Sequence, residues 1–310
     1  MTTVELTAQY IVSHLTPQRP LFVAIQGPQG SGKSYITAEL GKYLQAPPYS
    51  LRVVSLSIDD LYLPHEALVS LARANSENVL WQGRGQPGTH DVDLGVRVLS
   101  GLQKASDSIE LPRFDKSLHS GAGDRLPIDG TGVIVRQPPT IDVVIFEGWC
   151  VGFRSISRED LLSRWNGVWK RERVRLSVQE EETGRLADIE AVNERLKDYE
   201  RLWDFFDCFI KLSSESPGSE IQSKYSVVYK WRLQQEHHMK SVNGGRGMTD
   251  EDVKRFVDRY IPGYVFFGDM GLHKTEDLSS AVKKCFTLIL DENRTVTRTI
   301  DSESQCDSPT

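Results

Sequence analysis

The run Leu21-Phe-Val-Ala-Ile-Gln-Gly27-Pro-Gln-Gly-Ser-Gly-Lys33-Ser34 decides how this chain reads. Its first five residues are apolar and suit a fully buried strand. The eight from Gly27 to Ser34 fit G-x-x-x-x-G-K-[ST]. In such a loop, formed by Gly27, Pro28, Gln29, Gly30, Ser31 and Gly32, backbone N–H groups turn inward onto phosphate oxygens. The helix that follows aims its positive end at the same place. Lys33 can bridge the β- and γ-phosphates of a nucleotide, and the Ser34 hydroxyl can ligate Mg²⁺.

Around this run, apolar strands and periodic helices alternate. Val4, Ala8, Ile11, Val12 and Leu15 predict a short opening helix that Pro17 and Pro20 end. A helix over Ser34–Leu44 stops at Pro47-Pro48, and Leu51–Ile58 reads as a second strand. Helices are expected over Pro64–Ala74 and Asp91–Leu102, with loops at Gly83–Gly88 and Gly121–Gly132. Ile141–Phe146 is a β-branched apolar strand. A charged amphipathic helix over Asp188–Leu202 leads to another strand at Phe205–Leu212. Tyr225–Lys240 predicts a helix, and Thr249 with Asp252 forms a capping box that starts the next. The pattern predicts an α/β fold: a doubly wound, mainly parallel sheet flanked by helices. Residues 167–186 read as a charged excursion, and residues 291–310, poor in apolar side chains, as a disordered tail.

The second acid of a phosphate site is expected where a neighbouring strand ends. Ile141-Asp-Val-Val-Ile-Phe-Glu147 offers two carboxylates, and strand rise sets Asp142 roughly 16 Å behind Glu147. Ligands bind at the carboxyl ends of parallel strands, so Glu147 is the candidate metal acid with Ser34, and Asp142 is not. Asp59 and Asp60 end the second strand. Adjacent side chains there point to opposite faces, so at most one of them can take a proton from an attacking hydroxyl.

The chain has 310 residues, with 37 Lys and Arg against 43 Asp and Glu and a net charge of −6. Such a balance does not suit a general nucleic-acid or anionic-membrane binder. Cys150, Cys208, Cys285 and Cys306 lie far apart, without a CxxC pair, which argues against structural zinc and a disulfide framework. No apolar run reaches membrane-spanning length, and the first residues lack the pattern of a secretory or transit segment. The expected address is the cytoplasm, with the nucleus left open.

Loops also hold cations: Arg84, His90, Arg113, Lys116 and His119 could converge on a small anionic substrate, with Tyr62, Trp81 and Phe114 as the aromatics nearby. Arg232, on the helix with Trp231 and Glu236, reads two ways. It belongs to an amphipathic surface helix, or it closes over a nucleotide. The adjacent His237 and His238 do not share a helical face and do not read as a metal pair. An N-K-x-D guanine-reading stretch and protein-kinase H-R-D and D-F-G signatures are absent.

The set GPQGSGKS, SIDDLYL, GRGQPGTHD, LPRFDKS with GAGDR, FEGW, VNERLKDYERLWDFFD, WRLQQE and GMTDEDVKRFVDRYIPGY resembles D-glycerate 3-kinase and its fungal relatives. These belong to the phosphoribulokinase, uridine kinase and pantothenate kinase group of phosphate-loop kinases. The resemblance runs from about Leu21 to about Tyr264. It implies one P-loop kinase domain over 1–290, with lid and substrate insertions near 60–135 and 213–262, ATP and Mg²⁺ as cofactors, and a small-molecule hydroxyl as acceptor. It assigns Asp59 as general base, Glu147 as strand-end acid and Arg232 as the lid arginine beside Lys33 in catalysis. The acceptor would be held by Asp59, Tyr62, Arg84, His90, Arg113 and Lys116. The activity so implied is phosphorylation of a small hydroxy acid, foremost D-glycerate to 3-phosphoglycerate. The alternatives are the same chemistry on a nucleoside or pantothenate-like acceptor, or a non-enzymatic ATP-binding module.

Overall fold

Every residue of Leu21–Gln26 is buried, which sets this strand at the centre of a sheet covered on both faces. The computed structural model describes residues 1–17, 20–104, 108–215, 221–242, 244–268 and 284–301. Its strands are β1 (Leu21–Gln26), β2 (Val53–Ser57), β3 (Ile109–Leu111), β4 (Phe114–Asp115), β5 (Asp124–Arg125), β6 (Val133–Val135), β7 (Val143–Gly148), β8 (Cys208–Ser214), β9 (Cys285–Leu290) and β10 (Val296–Asp301). Its helices are α1 (Thr3–Ser13), α2 (Lys33–Gln45), α3 (His65–Ala74), α4 (Val92–Gln103), α5 (Arg158–Arg164), α6 (Lys170–Leu176), α7 (Glu180–Thr183), α8 (Leu186–Trp203), α9 (Ser226–Val242), α10 (Asp250–Asp258) and α11 (Ile261–Phe267).

The main sheet runs β10-β9-β8-β1-β7-β2, and only the β9/β10 pair is antiparallel. Side chains alternate across it as strand geometry demands. Val23, Ile25, Val143 and Ile145 pack with Ile11, Leu40 and Leu44 of α1 and α2. Phe22, Ala24, Val144 and Phe146 face the larger core with α4, α8 and α11. Two short ribbons, β3/β6 and β4/β5, lie outside the sheet between α4 and β7. Among the described residues no helix is long and apolar enough to cross a membrane.

Helix starts follow the sequence closely. Thr249 caps α10 in a reciprocal box with Asp252, and the Asp91 carboxylate accepts from Leu94 N at the start of α4. Two expectations change. The excursion at 167–186 is largely helical: a π-helical turn, Trp165–Trp169, joins α5 to α6, and the fully buried Trp169 anchors it. The expected tail from Asp291 contains β10, which pairs with β9 through its backbone while most of its side chains stay wet. Polar strand sequences of this kind carry no burial pattern to read. Residues 302–310 lie outside the described residues.

Trp203 is a stringent test of the larger core. It is 1% exposed, donates to Phe153 O at 2.8 Å and packs on Tyr199 and Phe206. Trp203→Ala is expected to lower unfolding free energy by about 3–5 kcal/mol, read from urea denaturation.

Candidate active site

Parallel pairing brings three strand ends level. Ile25 of β1 and Ser57 of β2 both register with Glu147 of β7. The Gly27–Ser34 loop, Asp59 and Glu147 therefore emerge at one edge of the sheet, where ligands of such folds bind. Gly32 caps α2 at φ +89°, and Gly30 adopts φ +72° against the backbone of α9. A Cβ on Gly30 would lie 2.6 Å from the Trp231 carbonyl carbon, so only glycine fits there.

The Ser34 hydroxyl donates to Glu147 Oε1 at 2.9 Å, and Glu147 is buried. These are two hard oxygen donors side by side, the set that suits Mg²⁺ when substrate phosphates supply further ligands. No cluster of three His, Cys, Asp or Glu competes for a metal among the described residues. Asp142 lies at the other end of β7, where its carboxylate accepts from Arg52 N at 2.7 Å. Lys33 is buried, and its Nζ donates to Pro28 O at 3.0 Å. Burial lowers its pKa, while the Glu147 and Asp59 charges pull it back up.

The aspartate pair does not end the second strand as expected: β2 stops at Ser57, and Asp59 and Asp60 sit on a 3-10 turn, Ile58–Leu61, whose winding sends them to different partners. Asp60 accepts from Phe114 N at 3.2 Å; burial raises its pKa. Asp59 faces the loop and pairs with Lys116 Nζ at 2.5 Å. Burial would raise the Asp59 pKa, but the Lys116 ammonium outweighs it and holds the carboxyl below its usual range. Lys116 in turn is raised by Asp59. It arrives just after β4, held in place by the β4/β5 ribbon.

His90 and Tyr62 form the floor beside Asp59. Their rings stack at 4.4 Å, and His90 Nδ1 meets the Tyr199 hydroxyl at 2.7 Å. Burial drives the His90 pKa to about 4, so the ring is neutral near pH 7 and is not one of the site's cations. Its Nε2 is buried without a hydrogen-bond partner. Arg84 reaches the same region from the Gly83–Gly88 loop. It lies over the Phe114 ring at 5.6 Å and donates to the carbonyls of Gly121 and Ala122.

Three expected residues stand apart from this group. Arg113 lies beside Gly132, and its charge adds to the Thr131 hydrogen bonds that hold the Asp129 carboxyl below its usual range. His119 stacks on His65 at 3.7 Å and meets Asp124. The Arg232 side chain is held in an ion pair with Glu236 at 2.8 Å and over the Phe256 ring, although its backbone touches Gly30. His237 pairs with Asp250.

Two residues outside the expected set hold the loop itself. The Tyr264 hydroxyl accepts from Gln29 N at 3.0 Å, and Arg294 Nε donates to Gly30 O at 2.6 Å. Tyr264 closes the GMTDEDVKRFVDRYIPGY stretch; nothing near Arg294 in sequence signals its role. A cavity of about 600 Å³ opens beside the loop, with Gly32, Tyr35, Tyr43 and Arg294 in its walls.

No family model matches the chain. It is 36% identical over 304 residues to the uncharacterized kinase mug58 of Schizosaccharomyces pombe, covering 95% of this chain and 98% of that one. It is 35% identical over 296 residues to a Saccharomyces cerevisiae protein named "Probable ATP-dependent kinase TDA10", covering 89% and 87%. Among solved structures, D-glycerate 3-kinase from Cryptococcus neoformans var. grubii matches with a TM-score of 0.82 at 35% identity, covering 97% and 99%.

The buried neutral His90 has a consequence for stability. Its pKa is about 4 when folded and 6.5 in the reference state. Below pH 6.5 the unfolded chain binds a proton that the folded chain refuses. Stability therefore falls as pH drops from 6.5 toward 4, by on the order of 3 kcal/mol in full. In His90→Gln the slope of urea midpoint against pH is expected to flatten across that window. An unchanged slope would contradict the buried neutral ring.

Proposed function

The chain belongs to the family of D-glycerate 3-kinases and their fungal relatives, and from that premise we propose that it phosphorylates D-glycerate or a closely similar small hydroxy acid. It is an ATP-dependent phosphotransferase with an alcohol as acceptor. The observation that carries the reading is the meeting of the Lys33–Ser34–Glu147 group with the Asp59–Lys116 pair at one sheet edge.

ATP lies with its phosphates on Gly27–Ser34 and its nucleoside in the cavity beside Tyr35 and Tyr43. Ser34 and Glu147 would hold Mg²⁺, which neutralises phosphate charge when bound. Lys33 adds a cation in a site dry enough to strengthen it. The acceptor enters over Tyr62 and His90. Its carboxylate draws the Lys116 ammonium and the Arg84 guanidinium, the two cations that Asp59 and the ribbon hold nearby. Asp59, released from Lys116, accepts the hydrogen bond of the acceptor hydroxyl, orients it toward the terminal phosphate and takes its proton as transfer proceeds. A neutral His90 suits this task, since its buried Nε2 can bond an acceptor oxygen without adding charge. Arg232 would supply its charge only after leaving Glu236. Arg113, beside Gly132, has no part in this arrangement.

Asp59→Asn is expected to lower single-turnover transfer by about 10²–10⁴-fold while ATP affinity stays within a few-fold. Lys116→Ala should raise KM for the hydroxy acid and leave KM for ATP in place. ADP release across hydroxy acids, nucleosides and vitamins tests the acceptor. Silence with D-glycerate beside a clear response to a nucleoside would overturn the substrate reading.

A further inference from the structure

Arg294 stands on the turn between β9 and β10, at φ +67°, and takes no part in the chemistry above. Its guanidinium reaches three acceptors. Nε donates to Gly30 O at 2.6 Å, Nη2 to Trp231 O at 3.2 Å and Nη1 to Gln234 Oε1 at 2.9 Å. The same group lies over the Trp231 ring at 5.6 Å. The turn is fastened from its own side. Trp231 Nε1 donates to Glu292 O at 2.8 Å, and Lys230 pairs with Glu292 at 2.7 Å. Asp291 closes the turn by accepting from the backbone of Asn293 and Thr295.

A loop that wraps phosphate must turn N–H groups inward, and that leaves carbonyls pointing outward in need of donors. Gly30 O is such a carbonyl. Arg294 meets it at the point where Gly30 presses on the α9 backbone and no Cβ would fit. From the other side, Tyr264 fixes the neighbouring Gln29 N–H. A planar fork suits this junction because it can serve acceptors on two elements at once, which a lysine cannot.

We propose that Arg294 is a positioning residue of the phosphate loop: it orients the Gly30 peptide and locks the loop crest to α9. It acts on the polyphosphate through the backbone, not on the nucleoside. This rests on the reading of Gly27–Ser34 as the ATP site. Arg294 also borders the cavity beside Tyr35, so direct contact with the nucleoside is the rival account.

The two accounts separate when the base and ribose are removed from the probe. Calorimetry with magnesium compares ATP and inorganic tripolyphosphate on the full chain, as wild type, Arg294→Ala, Arg294→Lys and Lys33→Ala. Arg294→Ala is expected to weaken both probes by the same factor, about tenfold, as for one charge-assisted hydrogen bond. Arg294→Lys should fall between. KM for ATP should rise by that factor with KM for the acceptor unchanged, whereas a loss of folded protein would move neither KM. If Arg294→Ala does not fold, the lysine variant carries the comparison. Weakening of ATP alone would overturn the proposal in favour of a nucleoside contact. So would unchanged affinity for both probes, or a wild type that binds ATP and ignores tripolyphosphate. A folded wild type that binds neither probe brings down the ATP reading itself. Binding that Lys33→Ala abolishes and Arg294→Ala leaves intact brings down only the role of Arg294.

Discussion

Lys33, the first residue of α2, is buried beside the end of the central strand, and the negative charge around it offsets part of the cost of its desolvation. Glu147 of β7 and Asp59, in the 3-10 turn just after β2, supply that charge. The sheet brings them together because parallel pairing fixes β1, β2 and β7 in register; a slip of one residue would turn Glu147 to the wrong face and displace the turn that carries Asp59. The apolar alternation that buries β1 and β7 and the charge balance that sustains Lys33 are thus one constraint at two scales.

From that centre the rest of the site is arranged by long-range partners. Lys116 lies 57 residues from Asp59 in sequence and is brought to it by a two-stranded ribbon outside the main sheet. Tyr199 of α8 orients His90, and Tyr264 of α11 meets the phosphate loop. Helix α9 touches the loop with its backbone while its Arg232 is held by Glu236. The Arg232 charge and the loop are adjacent but separately restrained.

Much of this was legible in sequence wherever the cause is local. The glycine loop, the strand before it, the helix caps and the choice of Glu147 over Asp142 follow from a few neighbouring residues and the rise of a strand. The aspartate pair was half legible. The division of roles was expected from alternation, but a 3-10 turn after β2 and the Phe114 N–H, arriving from a ribbon, set it instead. Loop cations were the least legible. Arg84 and Lys116 lie within each other's field, whereas Arg113 lies beside Gly132 and His90 is not a cation, because burial removes its charge. The polar β10 could not be read, since backbone pairing rather than side-chain burial makes it a strand.

By itself, then, the sequence determined the α/β alternation, the phosphate loop and the acids at or just beyond the ends of two strands, because each depends on spacing along a single segment. Only the tertiary structure decided which cation meets Asp59, that His90 is neutral and that Arg294 meets Gly30 across 264 residues of chain. Desolvation and hydrogen bonding between distant segments set those outcomes, and neither exists until the chain has folded.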